Sequence, residues 1–489
     1  MRFLSGLNPL TPFVQIDGDI SAAAQRNMEI QMGLLIKNGE IITASDRFVA
    51  DVWCENETIT RIDKDLVAPA GAEVIEATGK YVFPGFIDPH THIYLPFMGT
   101  YAVDDYETGT IAALCGGTTT VMDFCIPGRD ETPKSAWATW NSKSEGKACC
   151  DYTYHMAVTH FDQAAAAELR ELIAKGVSSF KIFLAYAGAL GLEDDELYQT
   201  LKLAADAGVR VVAHCENACI VCNLQAELLA AGKTGPEFHE ASRPAWVEAD
   251  GTRHFCAMLK ATGAQGYIAH LSCAEALRET VEARMNGTHV AVETLIQHLL
   301  LDSSYAERPN FEAAKYIMSP PLREKSNQKV LWNALESGLA HTIATDHAPF
   351  TTTQKRMGID DFTKIPNGIP SLEDRVRMFY THGVATGRID LNHFVGLLST
   401  HAAKLFGLYP RKGTIQVGSD ADLVVYDPTY EGTSSAKTQH SAVDYNVFEG
   451  WPVKGRCDMV SVRGNVQVRD GEFVGKKGIG QFLRRERVY

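Results

Sequence analysis

From "YVFPGFIDPHTH" onward the chain repeats one pattern: a short apolar run, a stretch with helical periodicity, then another apolar run. Eight such runs fall in the middle of the chain, roughly residues 83–400. They are "YVFPGFIDPHTH", "TTTVMDF", "YTYHMAV", "SSFKIFLAY", "VRVVAHCEN", "GYIAHLS", "HVAVETL" and "HTIATDH". Amphipathic segments such as "AAAAELRELIAKG" and "DELYQTLKLAADAG" lie between them, each closing on a glycine in the C-cap position. Eight strand–helix units point to an α/β fold, a (β/α)8 barrel of the TIM type.

The flanks read differently. "LLIKNGEIITASDRFVADVWCENETITRID" alternates apolar and polar residues around the turn signals "KNGE" and "ENET", and the texture returns in "GSDADLVVYDP" and "DMVSVRGNVQVRDGEF". Residues 32–82 and 401–470 are therefore expected to form one smaller β-sandwich domain, split in sequence around a catalytic barrel spanning 83–400. Residues 1–31 form a leader of unclear structure, and residues 471–489 a C-terminal arm.

A chain of 489 residues, 45% hydrophobic and 22% charged, has the composition of an ordinary globular protein. Its net charge of −14 gives no electrostatic footprint for nucleic acid or an anionic membrane. No apolar run is long enough to span a bilayer. Pro9 and Pro12 interrupt the N-terminus, so no signal peptide is expected. Eleven cysteines, an odd and scattered set, argue for small buried thiols in a reducing cytoplasm.

The informative polar residues sit at the C-terminal ends of the strands, where barrels build active sites. His90 and His92 close the first strand, Lys181 lies in the fourth, His214 ends the fifth, His270 the sixth and Asp346 the eighth. Residues two apart on a strand share a face, so His90 and His92 can hold one ion. A lone histidine at a strand end is usually just a satisfied polar side chain; several such residues in one layer are another matter. Imidazoles with a carboxylate suit zinc, manganese or cobalt better than calcium or magnesium. Lys181, among Phe180, Ile182, Phe183 and Leu184, is a desolvated amine with a depressed pKa. A neutral amine can add carbon dioxide to become an anionic, bidentate carbamate able to bridge two ions. An ion pair with a barrel carboxylate, or a Schiff-base nucleophile, remain open from spacing alone.

"DPHTH", "SSFKIFLAY", "AHCEN", "YIAHLS" and "ATDHAP", in that order, closely resemble the amidohydrolase superfamily and, within it, the dihydropyrimidinase/D-hydantoinase group. "MSPPLR", "IPNGIP" and "NVFEGWPVKGR" extend the resemblance over nearly the whole chain from Leu34. The resemblance implies a binuclear centre, usually zinc. His90, His92 and Asp346 would hold one ion and His214 and His270 the other, with carboxylated Lys181 and a hydroxide bridging both. It further implies attack on a ring amide carbonyl, with Asp346 relaying the proton to the leaving nitrogen and Tyr186 stabilising the oxyanion. Ser319 and Asn367 would hydrogen-bond the cyclic substrate, although both motifs also read as ordinary turns. His347 is expected only to support its neighbour. C-terminal arms in this group help build homotetramers, so a homo-oligomer, tetramer or dimer, is implied.

Relatives acting on dihydroorotate place an arginine just after the HxH pair, where this chain has Ile93 and Tyr94. That points to an uncharged dihydropyrimidine or 5-substituted hydantoin. An allantoinase-like amidase and a non-catalytic scaffold of the same fold are the alternatives; a lysine-dependent aldolase or lyase would leave five metal-type residues unexplained. Cys215, Cys219 and Cys222 mimic an iron–sulfur spacing, but Cys219 and Cys222 fit a helix face packed on the barrel. "AGKTG" has Glu227 where a phosphate loop needs its first glycine, and reads as a helix stop. The closing "FLRRERVY" reads as an arm that pairs with a neighbouring subunit.

Overall fold

The run "YVFPGFIDPHTH" is two strands. In the computed structural model, which describes residues 33–488, Tyr81–Pro84 pairs in one sheet and Phe86–Thr91 in another. Gly85 is the joint. A side chain there would meet Thr119 Oγ1 at 2.1 Å, while its N–H donates to the Asp422 carbonyl at 2.8 Å. The leader, residues 1–31, lies outside the described residues.

Phe86–Thr91 begins an eight-stranded parallel sheet continued by Thr118–Cys125, Asp151–Ala157, Ser179–Phe183, Arg210–His214, Gly266–Ile268, Val290–Leu295 and Thr342–Ala344. These are the eight strands expected, in chain order. Every residue in them is buried, as a parallel sheet covered on both faces requires. The first and last strands close the barrel through loop backbone: Asp346 N–H donates to the His90 carbonyl at 2.9 Å and His92 N–H to the His347 carbonyl at 2.8 Å. Deeper in the same seam, fully buried Arg375 donates Nη1 to the carbonyls of Ile87 and Ile343, both at 2.8 Å. One guanidinium thus replaces hydrogen bonds that these two strands do not make directly.

The helices begin and end where their chemistry dictates. Asp162 caps Gln163–Ala174 through the Ala165 N–H at 2.7 Å, and Gly208, at φ 68°, ends Asp194–Ala207. Ala218–Ala230 stops just before Gly232, consistent with "AGKTG" as a helix terminus. This helix differs from expectation in one respect. Val221 is its one buried residue, and Cys219 and Cys222 are exposed, so they do not face the barrel. The other nine cysteines are buried, and all eleven are free thiols.

The second body is a mostly antiparallel nine-stranded sheet assembled from both ends of the described chain. Leu423–Tyr426 lies against Tyr81–Pro84 in antiparallel register, joining late strands to early ones. Its core includes Leu34, Ile36, Val52, Ile59, Val82, Leu423 and Val425, the apolar half of the alternation.

The C-terminal stretch, expected as an arm to a neighbour, lies within the single chain on its own barrel. Leu483 N–H donates to Tyr152 O at 2.8 Å, Arg485 N–H to Gly176 O at 3.0 Å and Glu486 N–H to Gly407 O at 2.9 Å. Leu483 is fully buried among barrel-interior residues including Met122 and Phe406. Arg485, also buried, donates Nε to Thr153 Oγ1 at 3.0 Å. The backbone groups at the N-terminal rim of the barrel need partners, and this segment supplies them.

Candidate metal centre and substrate cavity

At the opposite, C-terminal end of the strands, His90 Nε2 and His92 Nε2 each lie 3.0 Å from Asp346 Oδ1. Among the described residues, His90, His92 and Asp346 form the one group of three metal-type side chains whose ligand atoms lie within 4.8 Å of one another. Asp346 and His270 stand two residues beyond their strands at φ 50° and 40°, and Tyr186 at φ 60°. Left-handed backbone at non-glycine positions is costly and persists where the surroundings impose it. Here the restraints are visible: Asp346 N–H is tied to the His90 carbonyl, and His270 N–H to Glu293 Oε1 at 2.8 Å.

The second half of the site is close by. The His214 and His270 rings are 4.6 Å apart, and His270 is 5.3 Å from His90. Lys181, 1% exposed, puts Nζ 5.0 Å from the ring centres of both Phe124 and Phe183. Burial lowers its pKa to about 8, against the pull of Asp346 and Glu293. Among the described residues it makes no hydrogen bond or salt bridge with a carboxylate, so the ion-pair reading of this lysine finds no partner.

Two of the four imidazoles, those of His90 and His214, are oriented from behind. His90 Nδ1 meets Glu293 Oε1 at 2.7 Å, and Glu293 Oε2 also accepts from Tyr267 Oη at 2.7 Å. His214 Nε2 meets Glu216 Oε2 at 2.7 Å, and Arg243 Nη1 donates to the same oxygen at 2.7 Å. Carboxylate–histidine pairs of this kind fix the tautomer of a metal-binding ring. His90 Nε2 faces the Asp346 carboxylate at 3.0 Å. Burial lowers the His90 pKa, but Glu293 and Asp346 outweigh it and raise it to about 9, so this point of the site favours positive charge, and the donor set fits a divalent ion. Burial depresses the pKa of His270, His214 and His92, the last to about 4, which leaves neutral imidazoles. Burial pushes the Asp346 carboxyl upward, but His90 and His92 outweigh it and hold the group well below the usual range. His347 Nε2 pairs with Asp104 at 2.9 Å and stays behind the site.

Tyr186, Ser319 and Asn367 stand across from these groups. Asn367 Nδ2 donates to Ser319 Oγ at 3.0 Å. All nine residues singled out from the sequence (His90, His92, Lys181, Tyr186, His214, His270, Ser319, Asp346 and Asn367) line one cavity of about 460 Å3. Leu95, Phe97, Met98, Ile126 and Leu190 form its apolar wall. Sequence reasoning missed Glu293, Glu216 and Arg243. The signal for Glu293 was present: a glutamate inside the apolar run "HVAVETL" has the same oddity as Lys181 in "SSFKIFLAY".

Residues 81–467 match the family described as Amidohydrolase family. The chain is 49% identical over 456 residues to the D-hydantoinase of Geobacillus stearothermophilus, covering 93% of this chain and 97% of that protein. It is 39% identical over 466 residues to the dihydropyrimidinase of Rattus norvegicus, covering 94% of this chain and 90% of that one. Its fold superposes on the D-hydantoinase (dihydropyrimidinase) from Thermus sp. with a TM-score of 0.92 at 60% identity, over 93% of this chain and 100% of the other. With profile, sequence and fold in agreement over this length, the chain belongs to the amidohydrolase family.

Proposed function

We propose that the protein is a metal-dependent hydrolase of cyclic amides that opens the C–N bond of a dihydropyrimidine or a 5-substituted hydantoin to give the N-carbamoyl amino acid. The observation that carries this reading is the convergence of His90, His92 and Asp346 beside a buried Lys181 with no carboxylate partner. His90, His92 and Asp346 would hold one divalent ion and His214 and His270 a second, with Lys181, as its carbamate, between them. Zinc is the first choice and manganese or cobalt the alternatives. When bound, such a pair supplies a hydroxide nucleophile at neutral pH and polarises a carbonyl.

The chain's own groups do the rest. Asp346, held ionised, accepts the proton released on attack and returns it to the departing ring nitrogen. Tyr186, whose pKa burial raises, keeps its proton and donates a hydrogen bond to the developing oxyanion. Ser319 and Asn367 hold the imide edge, and Leu95, Phe97 and Leu190 offer an apolar wall to a 5-substituent. Arg243 also lines the cavity, but its charge is committed to Glu216. An uncharged ring therefore suits the cavity better than a carboxylated one, and allantoinase-like chemistry stands second. A non-catalytic scaffold would have no use for six metal-type residues with oriented imidazoles. Eleven free thiols support a reducing, cytoplasmic setting. A homotetramer or dimer rests on the family resemblance and is checked by light scattering.

The test is ring-opening of dihydrouracil and of D- and L-5-phenylhydantoin by zinc-loaded protein, followed by absorbance. Turnover of at least one ring, lost on chelation and restored by metal, is expected. Protein carrying two ions per chain that opens none of the three would overturn the proposal.

A further inference from the structure

Beyond the reaction itself, one buried charge has no place in the metal centre. Lys355 ends the short helix Thr352–Lys355 and is 1% exposed. Its Nζ donates to three backbone carbonyls: Ile317 at 2.9 Å, Pro366 at 2.6 Å and Gly368 at 2.7 Å. An ammonium has three N–H donors, and here each finds one oxygen. No carboxylate pairs with it among the described residues, so the three carbonyl dipoles stand in for a counter-ion. Burial lowers its pKa, and a buried ammonium is retained only where such contacts offset the desolvation.

The carbonyls come from two loops remote in sequence. Ile317 lies two residues before Ser319, while Pro366 and Gly368 flank Asn367. Gly368 N–H also donates to the Ile317 carbonyl at 2.9 Å, and Asn367 Nδ2 reaches Ser319 Oγ at 3.0 Å. Lys355 is therefore a three-point tie between the two segments that face the cavity across from the metal-type residues. The tie also sets orientation. In a planar trans peptide the C=O and the following N–H point in opposite directions. With the Pro366 carbonyl drawn to Nζ, the Asn367 N–H is turned away from Lys355. Gly368, at φ 141°, has no room for a side chain: a Cβ there would meet the Ala348 carbonyl at 2.5 Å.

We propose that Lys355 is a positioning residue for the substrate: its ammonium holds the Ser319 and Asn367 loops at the spacing and peptide orientation that bind the ring amide. This rests on the cyclic-amidase reading and deepens it. Besides Lys355, the two loops are tied by two hydrogen bonds and by the apolar cluster that Ile317 shares with Phe362 and Ile365, none of which fixes the Pro366 carbonyl.

The experiment compares the metal-loaded wild type with Lys355→Gln and Lys355→Ala. Gln offers two donors without charge and preserves packing better; Ala leaves a pocket lined by three carbonyls. Bound metal, KM and kcat are measured for each on whichever ring the wild type opens. The expected result is full metal content with KM raised on the order of tenfold or more, the loss of one charged hydrogen-bonding group, and a smaller change in kcat. Added ethylammonium should restore the KM of Lys355→Ala, and sodium at equal ionic strength should not. Metal-replete variants with wild-type KM would overturn the role of Lys355 while leaving the amidase reading intact. So would failure of ethylammonium to rescue. Should Lys355→Ala not fold, the KM of Lys355→Gln decides alone. A wild type that opens no ring would overturn both.

Discussion

Glu293 shows how much of the site is decided by residues that touch no substrate. It takes the Nδ1 of His90, the Oη of Tyr267 and the backbone N–H of His270, so one imidazole and the backbone beneath another depend on one carboxylate. Glu293→Gln keeps the shape but weakens acceptance from His90, and should lower metal affinity by about 10- to 100-fold. Metal titration against a competing chelator reads this directly. Tyr186→Phe separates another role: kcat should fall on the order of 100-fold with bound metal unchanged, because a single oxyanion donor is lost. Unaltered kcat would remove Tyr186 from the chemistry. The histidines and Asp346 were legible because their residue types recur at strand ends. Glu293 and Lys355 were harder to see, because a carboxylate or an ammonium shows its function through what faces it, and the partners lie 203 and 38 residues away in sequence for the contacts with His90 and Ile317.

At the scale of elements, the strand-and-helix alternation was readable because each barrel strand is buried along its whole length and so carries an apolar run around its few polar residues. Two elements departed from expectation for physical reasons. "YVFPGFIDPHTH" splits at Gly85, since the chain must leave one sheet and enter another where no side chain fits. The helix Ala218–Ala230 keeps little buried surface, so i,i+3 spacing said nothing of which way Cys219 and Cys222 point. Two thiols per chain should therefore react with a water-soluble disulfide reagent in the native protein and eleven after denaturation. A native count of none would place that helix against another surface. The C-terminal stretch gives a second test: Leu483→Ala should cost about 2–5 kcal/mol of stability, because Leu483 is fully buried in the barrel interior. Denaturant unfolding measures it, and an unchanged midpoint would mean the segment is not docked in solution.

Across the whole molecule, barrel and sheet are joined by a buried ionic knot. Lys412 Nζ meets Asp151 Oδ2, from the third barrel strand, and Asp422 Oδ2, beside the antiparallel sheet, both at 2.7 Å. Arg463, in the turn between two late sheet strands, pairs with the same Asp151. Although burial opposes the charge on Lys412, Asp151, Asp422 and Asp420 outweigh it and raise its pKa. Lys412→Met leaves buried carboxylates without this partner and should destabilise the fold by about 3–5 kcal/mol, while folded protein keeps its metal. No sequence pattern announced this knot, because Asp151 lies 261 residues from Lys412 in sequence. The other buried lysine carries the proposed function: we propose that Lys181, as its carbamate, would bridge two metal ions and that ring opening depends on it. The measurement is bound metal per chain and ring-opening rate, side by side, for the wild type and Lys181→Ala prepared in zinc and bicarbonate. The expected result is two ions and turnover in the wild type, against at most one tightly held ion and no measurable turnover in Lys181→Ala. Two tightly bound ions and full activity in Lys181→Ala would contradict it.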